Sequence, residues 1–171
     1  LAGVADVCAE YDIWFHIDGA YGGAGLAAPS IRDRYDGVER ADSIVIDPHK
    51  LLFAPFDCAA LLYRDPAAAR RAHTQEAAYL DSVSTEEDWS PYHYAYHLTR
   101  RVRGLPFWFS LATYGTRSYT DAIETVLQLT RDTAEEVRTR DALELALDPE
   151  ISVVVLRRRG WCDKDYVRVS D

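Results

Sequence analysis

The chain has 171 residues, one domain's worth of sequence, and ordinary globular composition at 48% hydrophobic and 27% charged residues. That argues against a disordered tail, a fibre or a low-complexity linker. A formal charge of −9 argues against a general phosphate-backbone binder, so no nucleic-acid partner is expected.

Residues 1–11 suit a helix, with Val4, Val7 and Cys8 at helical spacing on one side. The opening LAGVADVCAEYD is too charged for a signal-peptide core. The sequence holds no methionine and starts at Leu1, so the expectation is an internal piece of a longer protein whose first helix is entered part-way. Residues 14–17 suit a short buried strand closed by Asp18. GAYGGAG, residues 19–25, predicts a loop, and the polar stretch 31–40 has room for a short helix. Residues 43–46 read as a second strand ended by Asp47-Pro48, and residues 58–63 as a third. Short strands separated by helical stretches predict an α/β layer structure.

Further on, residues 66–80 read as an alanine-rich helix. DSVSTEEDWSPYHYAYH, residues 81–97, is a long acidic-aromatic segment of the functional or mobile kind. Residues 105–139 predict a long helical region with Ile123, Val126, Leu127, Ala134 and Val137 on one face. ISVVVLRRR after Pro149 is strand-like. No stretch approaches the ~20 apolar residues of a membrane span, so no membrane partner is expected. Cys8, Cys58 and Cys162 form no CxxC pair, which points to reduced thiols in a cytoplasmic protein rather than a zinc knuckle or a disulfide framework.

Two residues carry the chemistry. Asp18 ends the first strand and Lys50 follows the second, with enough chain between them for one crossover. Ligands of open α/β sheets sit at the carboxyl ends of strands. A desolvated lysine there is neutral and nucleophilic, and forms a Schiff base with an aldehyde cofactor. Pyridoxal phosphate also needs a carboxylate at its ring nitrogen, and the glycines after Asp18 leave room for a flat ring. The bland reading is that Asp18 caps a turn and that His49 and Lys50 are polar surface.

Two other patterns compete. GAGLAA, residues 23–28, fits a loose dinucleotide fingerprint, but Pro29 argues against the helix the motif must open. His16-x-Asp18 with His49, His93 or His97 matches a two-histidine, one-carboxylate iron site. His93 and His97 are four apart, but no Glu follows His93 as a zinc-protease motif requires.

WFHIDGAYGG, ADSIVIDPHKLL, FDCAALLYRD and RRVRGLPFWFSLATYG occur in this order. Together they resemble the group II pyridoxal-phosphate-dependent amino-acid decarboxylases. The resemblance implies the aspartate-aminotransferase-like fold of the type I pyridoxal enzymes. It implies residues 1–110 as the end of the cofactor-binding large domain, and 111–171 as a connecting helix and the start of a small domain. By the same resemblance Lys50 is the Schiff-base lysine and Asp18 the partner of the pyridine nitrogen. Ala20 lies against one ring face, His49 sits beside the phosphate, and Asp47 falls near the phosphate. Residues 81–97 become the mobile loop, with Tyr92, Tyr94 and Tyr96 as proton-donor candidates. Arg100, Arg101 and Arg103 match the family's basic block, where the resemblance implies a structural role at the loop base ahead of substrate binding.

The implied activity is decarboxylation of an L-amino acid to an amine and CO2 with pyridoxal 5'-phosphate, in a homodimer with a small-molecule substrate and no metal. The implied parent is roughly three times longer. The alternatives are an aminotransferase or carbon–carbon lyase of the same fold, the iron enzyme, and a catalytically silent folding or interaction piece.

Overall fold

The computed structural model describes residues 1–73 and 90–170. The chain divides into two compact units, Leu1–Ala24 with Asp33–Thr113, and Gly25–Arg32 with Tyr114–Asp171.

In the first unit, helix α1 (Ala2–Glu10) leads to strand β1 (His16–Asp18), and strands β2 (Ser43–Ile46) and β3 (Ala60–Tyr63) complete a sheet ordered β1-β2-β3. β1 and β2 are parallel, with Asp18 opposite Val45. β3 returns antiparallel, with Ile46 opposite Ala60. The β-branched run of β2 suits this central place. The α/β expectation holds, but the strands are less buried than their apolar composition predicts: Leu61 and Leu62 on β3 are half exposed. β3 is an edge strand, so no fourth strand covers it among the described residues.

The core here is small. Ala5 from α1, Phe15 and Ala41 are buried together, with Cys8 and Ile17 against them. The expected α1 stripe is therefore corrected: Val4 and Val7 are exposed and Ala5 is the buried member. Side chains fix the approach to the sheet. The Asp42 carboxylate accepts the Phe15 N–H at 2.7 Å, and Ser43 Oγ accepts the Trp14 indole N–H at 2.9 Å.

GAYGGAG is not a plain loop. Gly22–Ala27 and Pro29–Tyr35 are 3-10 helices, the second kinked at Ile31. No long helix opens on GAGLAA, so the dinucleotide motif lacks the element that would receive a pyrophosphate. Helix α2 (Pro66–His73) matches the start of the expected helix, and the rest of that expectation, with the 81–89 part of the expected mobile loop, lies outside the described residues.

Helix α3 (Gly104–Thr139) leaves helical geometry at Gly115, with φ 74° and ψ 161°, beside the boundary between the units. In the second unit Ile123, Leu127, Thr130, Ala134 and Val137 are the buried residues along it, close to the expected stripe. Glu124 accepts from the backbone N–H of Ser30 at 2.9 Å and from its hydroxyl at 2.6 Å, and Thr120 Oγ1 donates to the Ala27 carbonyl at 3.1 Å. These bonds account for 25–32 belonging to this unit. Strands β4 (Leu143–Leu145) and β5 (Leu156–Arg158) pair antiparallel, and helix α4 spans Asp163–Ser170. Only the end of ISVVVLRRR becomes strand, because β4 is three residues long and pairs no further.

Candidate functional site

Parallel pairing in register sends Asp18 and the segment after Ile46 out at one carboxyl end of the sheet. Asp18 Oδ1 accepts the Ala20 N–H at 3.1 Å, an Asx turn that bends the chain at the strand end. The Ala20 carbonyl accepts the Asp47 N–H at 3.1 Å. The two loops are thus laced together, and Asp18, Ala20 and Asp47 share one end of the sheet.

Lys50 closes the second loop. Its N–H donates to the Asp47 carbonyl at 2.9 Å, and its Nζ lies 2.8 Å from Asp47 Oδ2. The Lys50 side chain is 39% exposed and that of Asp47 14%. The desolvated amine of the sequence reading is therefore corrected to a rim amine paired with a carboxylate, because Asp47 three residues earlier lies within reach. Asp47, expected beside a phosphate dianion, instead has its charge offset by Lys50. Lys50 is one of two lysines in the sequence, the other being Lys164.

The glycines have a different task from leaving room for a ring. A Cβ on Gly19 would lie 2.9 Å from the Val45 carbonyl oxygen, and one on Gly23 2.8 Å from Ile46 Cγ1. Both glycines let the loop after β1 press directly on β2.

His49 is oriented from two sides. Its Nδ1 lies within hydrogen-bond distance of the Cys58 carbonyl and 3.2 Å from the Cys58 N–H, and its ring meets Phe56 edge-on at 5.0 Å. Cys58 is buried; burial pushes its thiol up, and the charges of Asp47 and Asp57 push it the same way.

Asp57 was not singled out from the sequence. Its carboxylate lies 3.1 Å from Arg101 Nη2 and 3.1 Å from Arg103 Nε. Partial desolvation pushes the Asp57 carboxyl up. Its own backbone N–H and the Arg103 and Arg101 guanidiniums outweigh this and hold it below the ordinary carboxylate value. The residues are 44 positions apart, so no local pattern announces the pair. It ties the start of α3 to the turn before β3, the anchoring role expected of two of the three arginines. Tyr92 and Tyr94 flank buried His93 on a 3-10 turn (Pro91–Tyr94), and Tyr96 is 77% exposed.

His16 Nδ1 is 2.8 Å from Ser43 Oγ, so this ring is tied to β2. Among the described residues no three His, Cys, Asp or Glu side chains are grouped to hold a metal ion, so His16 and Asp18 find no third ligand there. No described helix is long and apolar enough to cross a membrane.

Residues 1–159 match the pyridoxal-dependent decarboxylase conserved domain. The chain is 35% identical over 150 residues to an acidic amino acid decarboxylase of Xenopus tropicalis, covering 86% of this chain and 29% of that protein. It is 35% identical over 156 residues to the L-2,4-diaminobutyrate decarboxylase of Acinetobacter baumannii, covering 90% of this chain and 30% of that one. Among solved structures, Oryza sativa TDC with PLP and tryptamine superposes with a TM-score of 0.85 at 31% identity, over 92% of this chain and 33% of that one. The chain thus spans under a third of the length of these curated relatives.

Proposed function

The chain belongs to the pyridoxal-dependent decarboxylase family, and from that premise we propose that the full-length protein decarboxylates an L-amino acid to an amine and CO2. Its α/β fold is that of the type I pyridoxal enzymes, shared with solved plant and mouse decarboxylase structures. The observation that carries the proposal is the convergence of Asp18, Ala20 and the Asp47–Lys50 turn at the carboxyl end of two parallel strands in register.

The donor set fits a pyridoxal group. Lys50 offers the amine that takes an aldehyde, and Asp18 offers a carboxylate for a ring nitrogen. Asp18 Oδ1 is engaged by Ala20, and among the described residues the carboxylate has no ion pair, so it is available to a cation. When bound, the cofactor supplies an electron sink for the bond to the departing carboxylate.

The chain's own residues supply the rest. Lys50 would hold the cofactor aldehyde, and Asp47, 2.8 Å from its amine, would stabilise the ammonium form. Asp18 would favour the protonated ring nitrogen through a fixed charge. Ala20, whose backbone the Asx turn sets, would lie against the ring. His49, oriented by Cys58 and Phe56, would stand beside the phosphate. Asp47 is a partner of Lys50 first and a neighbour of the phosphate second. Tyr92, Tyr94 and Tyr96 remain the proton-donor candidates, Tyr96 being the most exposed.

Residues 1–110 belong on this reading to the cofactor-binding domain and 111–171 to a connecting helix and the start of a small domain. The full-length protein is a cytoplasmic homodimer. The relatives are named for several amino acids, acidic, basic and aromatic, so the substrate class is an L-amino acid without further choice.

Product analysis of the full-length protein with an L-amino-acid panel tests the proposal. We expect CO2 with the matching amine, a loss of at least about 10³-fold in Asp18→Ala with the fold retained, and no turnover in Lys50→Ala. A keto acid or an aldehyde as the main product would instead assign an aminotransferase or a carbon–carbon lyase.

A further inference from the structure

One cavity borders the Lys50 loop through His49 and Cys58. It measures about 490 Å³ and is lined by His49, Asp57, His97, Arg100, Arg101 and Arg103, with Phe56 and Val102 as apolar walls. That volume is ligand-sized. Three arginines and one aspartate line it, so the lining carries a net positive charge of two in a chain whose formal charge is −9.

The three arginines are not equivalent. Asp57 engages Arg101 and Arg103, each at 3.1 Å. These contacts fix two guanidiniums and consume the single negative charge. Arg100 has no ion pair or hydrogen bond among the described residues. A concave site lined by one sign of charge concentrates counter-ions. A guanidinium's planar donors match two oxygens of a carboxylate or phosphate at once.

We propose that this cavity binds a small oxyanion, a carboxylate or phosphate group. Arg100 is its principal cation, with Arg101 and Arg103 held in place by Asp57. The anion comes either from the acidic side chain of the amino-acid substrate or from a free oxyanion. His49 joins this cavity to the Lys50 loop, being next to Lys50 in the chain.

Isothermal titration calorimetry on the full-length protein tests this with two probes, glutarate and inorganic phosphate. At least one is expected to bind, with affinity falling about tenfold or more in Arg100→Gln. Arg100→Lys should recover part of the loss, and far-UV circular dichroism should show both variants folded. Arg100 is exposed, so its replacement leaves the core intact. If neither probe binds, or if binding is unchanged in Arg100→Gln, the proposal is overturned. Competition of the bound probe with the amino-acid substrate assigns the anion to the substrate side chain; binding without competition assigns it to a free oxyanion. The titration needs no turnover, so its outcome is separate from the fate of the decarboxylase reading, which cofactor attachment at Lys50 decides.

Discussion

Cys58 sits behind His49 with 5% of its surface exposed, and burial together with Asp47 and Asp57 disfavours its thiolate. Thiolates, not thiols, react with alkylating agents. Under native conditions iodoacetamide should therefore label exposed Cys162 first, half-buried Cys8 next and Cys58 last, as read by peptide mass against time. Rapid labelling of Cys58 would show that the wall behind His49 opens. Asp57 gives a pH signature with a definite sign. Its folded-state pKa is depressed below the ordinary 3.8 by Arg103 and Arg101 against partial desolvation. The pair therefore adds stability that is complete above that value and lost as the pH falls through the folded value. Thermal melts of the wild type and Asp57→Asn should differ at neutral pH, draw together as the pH falls from about 3.8, and converge below the lower folded-state value. A constant difference down to acid pH would assign the effect to something other than the ion pairs. The residue scale was also where sequence reading reached furthest and stopped most sharply. Asp18 at the end of β1 and Lys50 in the turn after β2 were legible as positions, while the roles proposed for them rest on the resemblance of the motifs around them. The salt bridge that holds Lys50 and the Cys58 lock on His49 could not, since both depend on loop geometry set after folding.

Among the elements, β2 was read to the residue, because a β-branched run bounded by Asp42 and Asp47-Pro48 has clear limits. The 3-10 helices and the three-residue strands β4 and β5 were not. Such short pieces owe their form to partners rather than to propensity. Two glycines separate backbone need from packing need. Gly37 has φ 93°, and a Cβ there would stand 2.7 Å from the backbone of Ala2. Gly115 breaks α3 at φ 74°, but a Cβ there meets open space. Gly115→Ala should cost on the order of 1–3 kcal/mol from backbone strain alone. Gly37→Ala should cost more, because α1 must also move. Urea denaturation of the two variants checks the order, and equal losses would contradict the packing argument at Gly37. Gly19 and Gly23 after Asp18 share the packing need, since a Cβ on either would meet β2 at under 3 Å.

At the scale of the whole molecule, composition and charge argued against a general phosphate-backbone binder but said nothing of chemistry. The α/β class was readable from strand and helix alternation. The chain divides into two compact units near residue 113, and the attachment of 25–32 to the second was not legible, since it rests on hydrogen bonds from Ser30 and Ala27 to residues some ninety positions away. Apolar side chains such as Trp14, Phe56, Leu61 and Trp108 stand half or more exposed, or nearly so. The chain spans under a third of the length of the Xenopus and Acinetobacter relatives, so turnover belongs to the full-length protein. The central claim is that the amine at position 50 carries the cofactor. Borohydride reduction of the full-length protein loaded with pyridoxal phosphate, followed by peptide mass mapping, reads this at once. A phosphopyridoxyl increment is expected on the peptide containing Lys50 and none on that containing Lys164. A label at Lys164, or an active protein that takes no label at Lys50, would contradict it.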